Sequence, residues 1–319
     1  MQRYLIRRLL QFIPVLLMAS ILIFVIIRLI PGDPAMMRLG VEGTEEAVQR
    51  VREEMGLDKP MPIQYLVWLR DVARGDLGKS WRSGQSATFL IMRKLPATLW
   101  LGLGALLFGL FVALPAGIIS AAKAHSNFDS ALTVVALLGV SLPSFWLGIM
   151  LILIFAVSLG WLPSSGFVSP LTNPVEGVRR LIMPGLTLGV QFAAPLTRFV
   201  RSGMLEVLNE EYVRSARAKG LVERLVVLRH ALPNALLSVV TVLGLQIGHM
   251  LGGAFVTESV FNWPGIGLLM LDAIKQRDYG IVQGIVMFVV LGFMVINLLT
   301  DILYAALDPR IRLGEGASA

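Results

Sequence analysis

Cysteine is absent from this 319-residue chain, which excludes disulfides, thiolate metal sites and cysteine nucleophiles together. Histidine is scarce: His125, His230 and His249 are the only three, and they show neither metal-ligand spacing nor the acidic pair of a zinc protease. Charged residues are 15% of the chain, where roughly a quarter is usual for soluble domains. Serine–histidine hydrolysis needs partners that meet only in space, so spacing leaves it open. No nucleophile-elbow pattern supports it, and serines in membrane helices more often serve packing. One phosphate-loop lookalike, Gly75-Asp76-Leu77-Gly78-Lys79-Ser80, ends in Gly-Lys-Ser but has two residues between its glycines where the pattern needs four. Gly265 and Gly267 follow Trp263-Pro264 without the strand a dinucleotide fold requires, and read as turn glycines.

Long apolar runs are what the chain has in abundance. It is 55% hydrophobic with a mean hydropathy of +0.74, and a helix crosses hydrocarbon in about 20 apolar residues. Runs at 9–30, 97–121, 131–159, 181–202, 234–257 and 279–306 predict six spans. The fourth is interrupted by Pro184, Gln191, Pro195 and Arg198, so neighbouring protein must satisfy its freed backbone groups. The first run follows Arg3, Arg7 and Arg8 like a secretory signal, but it is too long for one and no small-residue cleavage site follows. The formal charge of +7 concentrates near the ends of the runs as the positive-inside rule describes, with no need of a nucleic-acid partner. Arg198, Arg201, Arg214, Arg217, Lys219, Arg224 and Arg229 cluster on the side that also holds the N-terminal arginines, so both termini are expected in the cytoplasm.

Residues 1–30 then read as a short N-terminus with the first span, 31–96 as an extracytoplasmic subdomain, 97–307 as the membrane core, and 308–319 as a cytoplasmic tail. In the subdomain, Thr44 caps a helix that starts with Glu45 and Glu46 and stops at Lys59-Pro60, and residues 63–72 form a second amphipathic helix. About 65 residues is marginal for an independent core, so the segment should lean on the membrane domain. Asp129 sits near the start of the third run; Arg28, near the far end of the first, reads as a snorkelling side chain. Trp263 reads as an interfacial anchor, with Glu258 opening the loop that carries it.

The most distinctive polar stretch lies at 211–235, within a loop of 206–233. Val213, Ala216 and Gly220 recur at helical spacing as a small-residue stripe suited to the close approach of a partner backbone. Glu210 can pair with Arg214 four residues on. Lys219 and Gly220 suit a helix C-terminus, residues 221–232 a second short helix, and Pro233 the first turn of the next span.

The order Ala216, Gly220, Leu232, Pro233 resembles the EAA loop of ABC importer permeases. Arg214, Ser215 and His230 depart from the general pattern, and the run Arg214-Ser215-Ala216-Arg217-Ala218-Lys219-Gly220 resembles the dipeptide, oligopeptide, nickel and glutathione branch. The segments Leu29-Ile30-Pro31-Gly32-Asp33-Pro34, Phe261-Asn262-Trp263-Pro264-Gly265 and Leu307-Asp308-Pro309-Arg310 agree with it along nearly the whole chain.

The resemblance implies an all-α polytopic membrane protein of the type I importer permease fold, with six transmembrane helices and an extracytoplasmic insertion after the first. It implies half of a translocation pathway for peptides or a related small solute, a second permease, two ATPase subunits and an extracytoplasmic binding protein. ATP and magnesium would be held by those ATPases, none by this chain, which is no enzyme itself. Glu211, Tyr212, Val213, Arg214, Ala216, Arg217, Lys219, Gly220, Leu232 and Pro233 would form the ATPase-coupling element. Gln191, Gln246 and His249 are polar residues inside spans, where burial is expensive; they suit either a lining of the path or interhelical hydrogen bonds. Asn297 and Asp301 suit packing or a gate, and Gly244, Gly248, Gly252 and Gly253 suit close packing. The reading from another class is a secondary transporter or channel that needs no ATP.

Overall fold

A computed structural model describes residues 2–30, 34–39 and 44–307. Among them the chain is helical throughout, apart from loops and one isolated bridge between Lys79 and Ser86. The elements are α1 (Gln2–Leu29), α2 (Pro34–Leu39), α3 (Glu45–Glu54), α4 (Met61–Ala73), α5 (Ala87–Ala122), α6 (Asn127–Ser141) and α7 (Ser144–Leu151). There follow α8 (Pro174–Leu208), α9 (Glu211–Ala218), α10 (Glu223–Leu225), α11 (Leu232–Val260), α12 (Ile266–Lys275) and α13 (Tyr279–Leu307). All six apolar runs are helical. By length and composition, Arg8–Leu29, Ala87–Ala122 and Tyr279–Leu303 can cross a membrane, and α6 with the helix after it makes a fourth if the bent pair is one span.

The third run is not the continuous helix expected. It bends by 98° between Ser141 and Ser144, because a proline ring pushes the residue before it out of the helical region. Leu142 is extended, with φ −74° and ψ 124°, and Pro143 opens the next helix. Beyond α7 the chain widens into a π-helical segment, Ile152–Ser158.

The fourth run also differs from a lipid-facing span. Pro184 and Pro195 lie inside α8, and Thr187 and Thr197 donate to the carbonyls of Met183 and Ala193. Much of the helix is buried, from Met183 to Leu208. Protein therefore surrounds the backbone that its prolines leave unpaired, as the sequence requires.

Two compact units emerge, Ala97–Trp263 with the segment from Ile296 on, and Gln2–Pro96 with Pro264–Val295. In the first, α8 is central: Leu188, Phe192, Leu196, Val200 and Met204 pack with Leu101, Ala105 and Ala113 of α5 and with Val213, Val226 and Ala231. Lipid tails are as apolar as leucine, so close van der Waals contact carries such association. Gly109 shows how close: a Cβ there would lie 2.2 Å from Phe192. Gly244 of α11 lies equally tight on Thr300 of α13, 2.0 Å from a notional Cβ, a packing seam of the kind its spacing suggests.

In the second unit, Ile23 and Ile27 of α1 join Leu77, Ile91, Ile266, Ala273 and Ile285. The insertion leans on α1: Tyr65 of α4 meets Phe24 edge-on at 5.3 Å, Trp68 lies tilted against it at 5.9 Å, and the Tyr65 hydroxyl is 2.8 Å from Ser20 Oγ. Thr44 caps α3 by accepting from Ala47 N at 3.4 Å. The helix ends at Glu54, short of Lys59-Pro60, because Gly56 turns left-handed at φ 66°; Pro60 caps α4 instead.

Candidate functional site

The loop between α8 and α11 folds into a compact helical hairpin. Asn209 ends α8, and Glu210, extended at φ −67° and ψ 149°, opens α9. Because Glu210 stands outside the helix, its expected pairing with Arg214 does not form. Arg217 instead makes a two-pronged ion pair with Glu223 across the turn, at 3.1 and 2.7 Å, and also donates to the Leu208 carbonyl at 3.3 Å. Hydrogen bonds from Arg217 hold the Glu223 carboxyl below the usual carboxylate range, and the same bonds raise Arg217.

Between these partners, Gly220 lies at φ 77°, with nothing within 4 Å of the place a Cβ would take. Its glycine is thus required by backbone conformation and not by crowding. Its amide donates to the Arg217 carbonyl at 2.9 Å, closing α9 as the Lys219-Gly220 pair predicts.

The small-residue stripe has a different role from the one its spacing suggests. Val213 and Ala216 are buried in the chain's own core, in the cluster that holds Val226, Val227 and Ala231. Apolar packing thus fixes the inner face of α9, and the outer surface belongs to other residues. Leu221, Val222, Leu225 and Leu228 are exposed, Val222 at 68%, and Arg214, Lys219, Arg224 and Arg229 are exposed as well. The sequence signal for this ridge is the leucine and valine spacing after Gly220.

The second half of the hairpin also departs from expectation. Instead of forming a separate helix, α10 passes into a π-helical turn, Val226–Ala231, and on into α11, with Pro233 in its first turn as its position suggests. Proline cannot donate a backbone hydrogen bond, and a π turn, in which Leu232 N bonds back to Val227 O, lets the helix continue past it. The junction is clasped by side chains. Asn234 Nδ2 donates to the Tyr212 hydroxyl at 2.7 Å and to the His230 carbonyl at 3.3 Å, and Tyr212 Oη lies 3.4 Å from that carbonyl. Tyr212 therefore links α9 to the first turn of α11. His230 contributes its backbone, and Asn234 was not legible as part of the site.

A second lock lies at the start of α6. Asp129, buried, accepts two hydrogen bonds from Arg201 of α8 at 2.7 Å each, one from the Ser120 hydroxyl of α5, and one from His125 N at 3.0 Å. The helix is capped by Ser126, so Asp129 serves tertiary structure; only its place beside an apolar run hinted at this.

Other candidates separate. Gln191 in α8 and Gln246 in α11 are half-buried, and among the described residues no hydrogen bond joins them; the side chains of His249, Gly252 and Gly253 lie outside the described residues. Trp263 is not an interfacial anchor: it is 1% exposed and donates from Nε1 to the Ala97 carbonyl at 2.8 Å. Glu258 lies in α11, fully buried, and accepts from Thr98 at 2.7 Å. Arg28 does not snorkel; Gln64 and the Phe24 ring hold it. In the phosphate-loop lookalike, Ser80 donates to Asp278 and Trp81 N donates to the same carboxylate at 2.9 Å, so this hydroxyl is structural. The motifs at 31–33 and 308–310 lie outside the described residues.

Comparison with known proteins agrees with this architecture. The chain matches the family model of the binding-protein-dependent transport system inner membrane component over residues 113–313, and that family's N-terminal model over residues 1–102. It is 43% identical over 312 residues to a glutathione transport system permease protein of Pectobacterium atrosepticum, covering 98% of this chain and 99% of that one. A dipeptide transport system permease protein of Alkalihalophilus pseudofirmus is 42% identical over 333 residues, with 98% and 100% covered. Among solved structures, an inward-facing form of the MetNI methionine ABC transporter aligns with a TM-score of 0.58 at 19% identity, covering 69% of this chain and 97% of that one, which shows the shared fold. By sequence along almost its full length and by helical architecture, the chain belongs to the binding-protein-dependent transport system inner membrane component family, the permeases of ABC importers.

Proposed function

We propose that this chain is one half of the membrane pathway of an ATP-driven importer for peptides or a related small solute such as glutathione. Relatives that carry glutathione and dipeptide transport names at 40% identity or more support that substrate class. The observation that carries the mechanism is the hairpin of α9 and α10, closed by left-handed Gly220 and clasped to α11 through Tyr212 and Asn234. An ATPase cleft that takes up the ridge of Leu221, Val222, Leu225 and Leu228 would push on a rigid lever and not on a loose loop. Glu211, Arg214, Arg217 and Lys219 would flank that contact, and Leu232 and Pro233 would pass the motion on.

In this reading two ATPase subunits hold the ATP and magnesium, a second permease completes the pathway, and a solute-binding protein delivers cargo from outside. Residues 206–233 and both termini face the cytoplasm of a bacterial or archaeal cell, and 31–96 face outward. Gln191, Gln246 and His249 are polar residues of the spans that would border the path. ATP binding favours one state of the pathway only through a difference in ATPase affinity for the two states, and the hairpin is where that difference is felt.

Reconstitution of the complex in proteoliposomes tests this. Uptake of a labelled dipeptide should require ATP on the ATPase side and should be indifferent to a proton gradient. Uptake driven by the gradient without ATP would favour a secondary transporter.

A further inference from the structure

Among the described residues, two buried hydrogen-bond donors in the unit formed by Gln2–Pro96 and Pro264–Val295 have no partner: Arg28 Nη1 and Gln283 Nε2. Gln283 is only 5% exposed, and buried donors left unpaired are costly enough to be rare. Arg28 is not loose. Its Nε and Nη2 donate to Gln64 Oε1 at 3.1 and 2.9 Å, and its guanidinium carbon lies 3.5 Å from the centre of the Phe24 ring. Gln64 is itself fixed by donating to the Lys59 carbonyl at 2.8 Å. The guanidinium is thus held in one orientation, with one nitrogen buried and unused.

The residues that carry them line clefts, with the two nitrogens themselves just beneath the surface. Arg28 lines one of about 620 Å³ and a second of about 200 Å³, and Gln283 lines the second. The two share Leu57, Gln64 and Trp81 beside Arg28. The larger is in the size range of small-molecule sites, about 300–1,000 Å³, far beyond the roughly 30 Å³ of one water. Among the described residues that line the two clefts, four are cations, Arg28, Arg52, Lys59 and Lys79, and two are carboxylates, Asp58 and Asp71. Guanidinium and amide N–H groups in a net positive surround call for an acceptor with negative charge.

We propose that these clefts form an oxyanion site in which Arg28 and Gln283 donate to a carboxylate or phosphate. Two sources share this chemistry, the terminal carboxylate of a peptide-like solute and the phosphate of a phospholipid. The importer reading above bears only on which solute arrives; the site stands on the donors and the clefts.

The full chain, in nanodiscs with the subunits that co-purify with it and without binding protein, allows the test. Binding of labelled Ala-Ala and of its C-terminal amide is measured alongside phosphatidylglycerol retained in native mass spectra. Arg28→Gln should weaken either Ala-Ala binding or phosphatidylglycerol retention about tenfold, the strength of one charge-assisted bond. Gln283→Met, which preserves volume, should weaken the same ligand by a smaller factor and guards against a folding defect in the first variant. Discrimination against the amide names the solute as the source, and loss of lipid names the phosphate. Wild-type affinity for both ligands in both variants overturns the site. Unchanged affinities together with normal ATP-driven uptake would mean that the site fails and the importer reading stands, whereas altered affinities together with ATP-independent uptake in the wild type would mean the reverse.

Discussion

Gly220 is the residue at which backbone and function meet most closely. Open space surrounds it, so Gly220→Val meets no clash with neighbours and its cost is conformational, about 1–2 kcal/mol for a side chain forced into the left-handed region. The expected outcome is normal insertion of the protein in the membrane with ATP hydrolysis uncoupled from uptake, read as the ratio of ATP consumed to solute accumulated. Wild-type stoichiometry would count against the hairpin as lever. Beside it, the Arg217–Glu223 pair gives a pH signature. The Glu223 carboxyl is shifted below its usual range, so the pair's contribution is complete above the ordinary carboxylate range and is lost as pH falls through the lowered value. Both side chains are well exposed, at 40% and 58%, which limits the effect to under about 1 kcal/mol. Hydrogen exchange around residues 218–222 should differ between wild type and Glu223→Gln at pH 7, and that difference should vanish in acid.

At the scale of elements, the telling features are junctions. Tyr212→Phe removes only the hydroxyl that joins α9 to Asn234 and His230 at the start of α11. Its two hydrogen bonds, one of them long, are worth about 1 kcal/mol each at most, so folding should survive, while transport per ATP should fall. Retained stoichiometry would show that α9 and α11 communicate through their apolar contacts alone. The bend after α6 makes a geometric prediction. Pro143→Ala restores a donor and frees Leu142 for the helical region, so the 98° angle should open. Because the chain has no cysteine, spin labels placed at Val134 and Val157 would report a longer distance without background. The helix start at Thr44 and the turn at Gly220 could be read from local chemistry. The break at Pro143 could be suspected, yet whether a proline kinks, breaks or begins a helix depends on what packs around it.

For the whole molecule, two cores rest on separate polar locks. Asp129 accepts from Arg201 and Ser120 in the unit centred on α8, and Asp278 accepts from Ser80 and Trp81 in the unit that holds the insertion. Asp129→Ala leaves a partly buried guanidinium without its partner, a loss of roughly 3 kcal/mol. Hydrogen exchange should then speed up in α6 and α8 and stay unchanged at residues 77–91. Acceleration at 77–91 as well would mean that the two cores unfold as one.

By itself the sequence determined the class of this protein and much of its punctuation. Apolar runs of spanning length, charge at their ends, a glycine after a lysine and a proline after a leucine depend on local periodicity and backbone sterics, which neighbours rarely override. Tertiary structure alone decided the partners of the polar groups. Val213 and Ala216 turned inward, Glu210 lost Arg214 to a non-helical backbone, Asp129 found an arginine 72 residues away, and Trp263 went from presumed anchor to buried donor. Arg28 was placed against Gln64 and Phe24 beside a cleft. A buried hydrogen bond or ion pair joins groups from distant helices, and its existence depends on their approach to within about 3 Å. Spacing along one chain does not encode that approach; packing of the helices does.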